Sequence, residues 1–251
     1  TPFERTARRE WQPEKSVKMQ EYLKFEKTLP SDYLRTVGCD FLFVTFLNED
    51  KYDADIKKLN AAWGTNFKAF TDIHFAPGLP ANVKERADWE EFSRTILPFR
   101  FMKVAEEAGP VYQQFLSKRY LGNIKEVNRI YKTSFTSFAQ IGLPKAMPAE
   151  GTPLTDWMDF ITDAIPVTAI KAVNAENLFR QKVMEKYGGL HAVNRAYGTR
   201  MASILELGAP YQLADWSFIL NDHKAIRHDF LTRNYRTVIS YMLLHGRAVL
   251  N

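Results

Sequence analysis

Apolar residues recur along much of this chain at spacings of three and four. Tyr112, Phe115, Leu116 and Tyr120 fall at i, i+3, i+4 and i+8, and Phe179, Val183 and Tyr187 follow at i, i+4 and i+8. Each stripe covers one face of a helix. Shorter stripes run through Ile56, Leu59 and Trp63 and through Ile124, Val127 and Tyr131. Val37–Leu47 is apolar almost throughout and fits a buried strand or a helix. Its register with Val111, Tyr112 and Phe115 favours the helix.

The stripes are copies of one another. Tyr187–Thr199 matches Tyr52–Thr65 and Tyr120–Thr133, and every copy ends on an Asn, an aromatic residue and a Thr: Asn60, Trp63, Thr65; Asn128, Tyr131, Thr133; Asn194, Tyr197, Thr199. A second element recurs in the same frame. Asp88-Trp89-x-x-Phe92 leads to Pro98 and Asp156-Trp157-x-x-Phe160 to Pro166, with Tyr22-x-x-Phe25 before Pro30 as a weaker first copy. The interval from proline to asparagine is 30 residues (30 to 60), 30 (98 to 128) and 28 (166 to 194). A period of this kind marks a repeat architecture. The expected fold is therefore all-α: a charged N-terminal arm (1–20), helical repeats at 21–87, 88–155 and 156–214, and a closing segment at 215–251 that starts a further copy at Asp215-Trp216.

Local chemistry adds boundaries. Asp88 with Glu91, and Asp156 with Asp159, resemble N-cap acids followed three residues later by a second acid. Gly64 and Gly198 are natural helix stops because glycine takes the left-handed conformation without steric cost; Lys132 occupies that place in the middle copy. Thr65 and Thr199 can cap a helix that starts next. The recurring Asn60, Asn128 and Asn194 fit backbone hydrogen bonding at a helix corner, or contact with a ligand. The recurring Trp and Tyr, with Trp89, Trp157 and Trp216, fit a core, or platforms for stacking a sugar.

Composition changes this picture little. The 251 residues are 45% hydrophobic and 25% charged, ordinary for a folded domain, while 18 Phe and 11 Tyr supply large side chains to pack between helices. A net charge of +5, from 34 basic and 29 acidic residues, is spread along the chain and reads as a solvated surface. A single cysteine, Cys39, rules out a disulfide framework within the chain and sits in an apolar run as a small hydrophobe. No apolar run approaches the roughly 20 residues that span a bilayer. The strongly charged start is no signal peptide, and the ends at Thr1 and Asn251 read as those of a segment cut from something larger.

The search for chemistry yields no catalytic residue, cofactor motif or metal site. The histidines form no HxxxH or HxxE pair, and neither a phosphate-binding glycine loop nor a GxSxG elbow is present. Carboxylates such as Glu90, Glu91, Glu106 and Glu107 are numerous, but a glycosidase needs two facing each other in a cleft, which a sequence cannot show. Phe115–Tyr120 carries Lys118 and Arg119 beside aromatics, yet as a helix end it explains its own cations. No nucleic-acid partner is expected.

The final segment differs from the repeats. Asn234-Tyr235 opens an amphipathic stripe of Tyr235, Val238, Ile239, Met242 and Leu243, with Arg236 and Arg247 on other faces, ending at Asn251. This pattern resembles the approach to a transmembrane helix in permease subunits of bacterial carbohydrate ABC transporters. The repeat motif is similar to helical stretches of some β-galactosidases and to extracytoplasmic inserts of certain sugar permeases. Those resemblances imply a non-catalytic loop domain on the periplasmic side of the inner membrane. By analogy with the maltose permease, it would meet a solute-binding protein and the transporter's membrane subunits. Asn234, Tyr235, Arg236, Arg247 and Asn251 would lie near the membrane surface, as would Arg5, Arg8, Arg9, Arg227 and Arg233. A fragment of a carbohydrate-active enzyme and a helical scaffold unrelated to transport are the alternatives. What the copies do not share, the N-terminal arm, the loop Pro144–Thr155 and the tail from Asn234, is where the repeats leave room for function.

Overall fold

A computed structural model of the chain describes residues 16–29 and 39–208. Among them are nine α-helices: α1 (Val17–Glu26), α2 (Cys39–Thr45), α3 (Ile56–Trp63), α4 (Arg86–Thr95), α5 (Gly109–Arg119), α6 (Ile124–Tyr131), α7 (Gly151–Asp163), α8 (Ala175–Tyr187) and α9 (Leu190–Tyr197). The all-α class expected from the periodicity is what the chain adopts. Residues 215–251, including Trp216 and the membrane-proximal residues Asn234, Tyr235, Arg236, Arg247 and Asn251, lie outside the described part, as does the arm before Ser16.

Local side chains start four of these helices. Ser16 accepts from the Met19 N–H (3.2 Å), Asp55 from Lys57 (2.9 Å), Asn123 from Glu126 (3.3 Å) and Asn174 from Asn177 (2.8 Å). Each such cap is worth about 1 kcal/mol. Gly64, Lys132 and Gly198 stop α3, α6 and α9 at φ of 70°, 56° and 67°. Cys39–Thr45 is helical rather than extended and widens into a π-helix over Phe46–Lys51. There Tyr52 N–H reaches back five residues to the Leu47 carbonyl.

Two local expectations are corrected, and the repeat boundaries can be placed on the helices. Asp88 and Asp156 cap no helix: Asp88 lies inside the first turn of α4 and Asp156 in the interior of α7, both buried. Thr65 and Thr199 start no helix, because the chain after each runs irregularly into a 3-10 turn (Phe70–Asp72 and Ile204–Glu206), as it does at Phe138–Gln140. The boundaries drawn at 87/88 and 155/156 fall within α4 and α7, and the arm drawn to residue 20 ends inside α1.

The described residues form two compact units, one of those up to Pro77 together with those from Val173 on, and the other Gly78–Ala172. In the second, α7 packs against α4, α5 and α6. Phe160 meets Tyr112 edge-on (ring centroids 5.0 Å) and Phe115 (5.6 Å), and Trp157 meets Phe99 (5.9 Å). Arg94 of α4 donates to the carbonyls of Ile161 (3.1 Å) and Ile165 (2.8 Å), satisfying the end of α7. A small antiparallel sheet, not anticipated from the sequence, pairs β1 (Met102–Val104) with β2 (Ile170–Ala172), Lys103 opposite Lys171.

In the first unit α1 lies on α8 and α9. Tyr22 and Phe25 join Phe179, Val183, Val193 and Leu207 in one buried cluster. Around α2, Phe43 stacks near Trp63 (6.3 Å) and meets Phe75 (5.2 Å).

Candidate functional site

The three asparagines make the same three hydrogen bonds. Asn60 Nδ2 donates to the Phe67 carbonyl (2.9 Å), while its Oδ1 accepts from Phe67 N–H (2.9 Å) and the Thr65 hydroxyl (2.8 Å). Asn128 does this with Phe135 and Thr133, and Asn194 with Met201 and Thr199, all at 2.8–2.9 Å. Asparagine suits the place because one side chain offers both an acceptor and a donor to a single backbone residue. Beyond each corner, Asp72, Gln140 and Glu206 accept from the backbone N–H groups that open the following turn.

A second arrangement occurs twice. Tyr120, just past the end of α5, and Tyr131, at the end of α6, both donate to Asp156 Oδ2 (2.6 and 2.7 Å), and Arg119 Nε forms an ion pair with Oδ1 at 2.7 Å while also reaching Asp159 (2.7 Å). In the other unit Tyr187 and Tyr197, from α8 and α9, each donate to Glu21 at 2.6 Å, and Lys186 pairs with the same carboxylate. Burial and the nearby carboxylate both raise the Tyr131 and Tyr197 phenols above the usual tyrosine range. Burial works to raise Glu21, but hydrogen bonds from Lys186, Tyr187 and Tyr197 outweigh it and hold the carboxyl below its usual value.

A third group surrounds the start of α2. Asp40 accepts from Phe75 N–H (2.9 Å) and from Arg180 (2.8 Å), and His74 Nδ1 lies 3.1 Å away. Arg180, almost fully buried, also donates to the carbonyls of Leu205 (2.6 Å) and Leu207 (2.9 Å). Glu176 accepts from Cys39 N–H at 3.2 Å. Burial, then the neighbouring Glu176 charge, pushes the Cys39 thiol well above its normal range, so it is a poor nucleophile.

Trp63, Trp89 and Trp157 are buried, with no face open to a sugar. Tyr131 and Tyr197 are brought to the two carboxylates, and the Asn–Thr pairs to the corners. The segment expected as a loop at Pro144–Thr155 is helical from Gly151, where α7 begins, and its start is pinned: the Lys145 carbonyl accepts from Val104 N–H (3.1 Å), and the Pro144 carbonyl accepts from the Trp157 indole (3.0 Å). A shallow, open groove of about 450 Å³ is lined by His191, Asn194, Arg195, Thr199, Arg200 and Met201. Among the described residues no cluster of His, Cys, Asp or Glu is placed to hold a metal, and no helix is long and apolar enough to cross a membrane.

The sequence reading missed the roles of Glu21, Asp40, Glu176 and Arg180. Glu21 had a signal: Glu21-Tyr22-x-x-Phe25 sits in the same frame as Asp156-Trp157-x-x-Phe160. For Asp40 and Arg180 no local pattern exists, because their partners lie 140 residues apart. No family profile, no curated protein and no solved structure matches the chain. Its class therefore rests on its own geometry: a helical protein whose recurring polar residues meet one another at helix corners and helix crossings.

Proposed function

We propose that this chain is a non-catalytic binding and scaffolding domain, an extracytoplasmic loop of a sugar ABC transporter permease that docks a solute-binding protein. One observation carries the non-catalytic part. The recurring polar side chains are occupied by one another and by backbone: the three asparagines at their corners, Asp156 by two phenols and an arginine, Glu21 by two phenols and a lysine. A general acid or nucleophile needs a carboxylate facing a cleft, and these carboxylates face their own tyrosines.

The transport part rests on the resemblance of Asn234–Asn251 and of the repeat motif to sugar permeases, an analogy that carries function only as far as a fold-level likeness can. The test is titration of the purified domain with the solute-binding protein of the same transporter, sugar-loaded and sugar-free, followed by calorimetry. Saturable binding that depends on sugar loading is the expected result. Absence of binding in both states, together with release of sugar from aryl glycosides by the domain alone, overturns the reading in favour of a hydrolase fragment.

A further inference from the structure

The Asp156 and Glu21 arrangements are one recognition event reached by two chain connections. In the second unit α7 offers Asp156, Trp157 and Phe160 to α5 and α6. In the first unit α1 offers Glu21, Tyr22 and Phe25, the same spacing, to α8 and α9. The receiving side corresponds residue by residue. Tyr187 and Tyr197 stand for Tyr120 and Tyr131 as hydroxyl donors, and Lys186 stands for Arg119 as the cation. Phe179 stands for Tyr112 as the ring beneath the second aromatic: Phe25 to Phe179 is 5.5 Å, Phe160 to Tyr112 is 5.0 Å.

The connections differ completely. Residues 132–150 lead directly from α6 to α7, whereas α1 precedes α8 by the whole of residues 27–174. The phenols share one oxygen of Asp156 and divide between the two of Glu21, but a donor set reproduced under such unlike tethers is specified by the side chains in contact, not by how the chain delivers them.

We propose that the α8–α9 face is a docking site for an acid–aromatic helix, a carboxylate followed by aromatics one and four positions later. Its occupant in cis is α1, and the α1 of a second copy of this chain can fill it in exchange. The contact has the parts of a helix-in-groove interaction: apolar anchors on one helical face, and a charged group that fixes register. Tyr22 and Phe25 are the anchors, 2% and 5% exposed when seated. Exchange of an element between identical copies needs no new contact, only release of the cis helix.

The experiment uses two full-length variants, each damaged on one side. Glu21→Gln impairs the helix and leaves the face; Tyr197→Phe impairs the face and leaves the helix. Mixed, they can restore one intact Glu21–Tyr197 contact between copies. Native mass spectrometry is expected to show heterodimers at least tenfold above the homodimers of either variant alone, and adding Tyr197→Phe to the Glu21→Gln partner abolishes the excess. Heterodimers no more abundant than homodimers, with both variants folded by circular dichroism, overturn the proposal. Should either variant lose its fold, a fluorescent peptide of residues 16–29 is titrated against full-length chain carrying Phe25→Ala. Binding roughly tenfold tighter than that of the same peptide with Glu21→Ala and Phe25→Ala supports the site, and equal binding of the two peptides overturns it.

Discussion

Asp156 and Glu21 receive the same kinds of donor, yet one is sealed in and the other is at an edge. The side chain of Asp156 is 0% exposed, whereas that of Glu21 keeps 16%. Their cations differ too, a guanidinium that bridges Asp156 and Asp159 against a single ammonium. A sealed carboxylate cannot turn to water when a partner is lost, and its removal leaves two phenols without their acceptor, while Arg119 keeps Asp159. An edge carboxylate leaves groups that solvent can recover. The same kinds of donor should therefore carry very different weight in the two units.

Asp156→Ala is the sharpest way to break that comparison. It should cost about 3–5 kcal/mol, the loss of two phenol hydrogen bonds to a buried charged acceptor, measured by urea unfolding. Glu21→Ala should cost only about 1–2 kcal/mol. Equal costs would mean that exposure does not set the difference. Next in size, Asn128→Ala removes both backbone bonds of a corner and should cost about 2 kcal/mol. The same change at Asn60 and Asn194 should fall within a kcal/mol of it, because the three geometries agree.

Acid and base act in opposite directions on these elements. Asp40 is raised by burial but held below its usual value overall by His74 and Arg180, and Glu21 is likewise depressed. Their stabilisation is complete above the unfolded carboxylate range and is lost as pH falls through their lowered folded values. Glu85 is the reverse: burial, then the charge of Asp88, pushes its carboxyl up to about 7 from 4.5. Its contribution is complete below 4.5 and disappears as pH rises through 7. Glu85→Gln should therefore flatten the decline in thermal stability between those two values while leaving the acid limb intact. An unchanged profile would show that Glu85 titrates normally.

The smallest effects concern the left-handed turns. Lys132 holds φ 56° where the other copies have Gly64 and Gly198, and Leu121 holds φ 51°, with its side chain 94% exposed, where the third copy has Gly188. Lys132→Gly and Leu121→Gly should each stabilise by up to about 1 kcal/mol, and Gly198→Ala should destabilise by a similar amount. Differential scanning calorimetry resolves shifts of that size.

Much of this was legible without coordinates. The helical class followed from apolar spacing, and Gly64 and Gly198 announced left-handed stops. The corner asparagines could be read as backbone partners because the groups they bind lie within seven residues. Asp88 and Asp156 were misread as caps, since an acid before an aromatic looks the same at a helix start as in a helix interior. Burial alone tells them apart. The small sheet escaped notice because three-residue strands have no period to detect.

Sequence by itself determined the helices, their stops and the corners, all of which close over a few residues and so depend on local chemistry. Tertiary structure decided which carboxylate the tyrosines meet. Tyr131 finds Asp156 25 residues on, but Tyr197 finds Glu21 176 residues back, and Arg180 finds Asp40 across 140. Tyr197 carries no mark that selects a carboxylate so far away. That selection arises only when α1 is seated on α8 and α9 by burying Tyr22 and Phe25, a non-directional force whose register the Glu21 hydrogen bonds then fix.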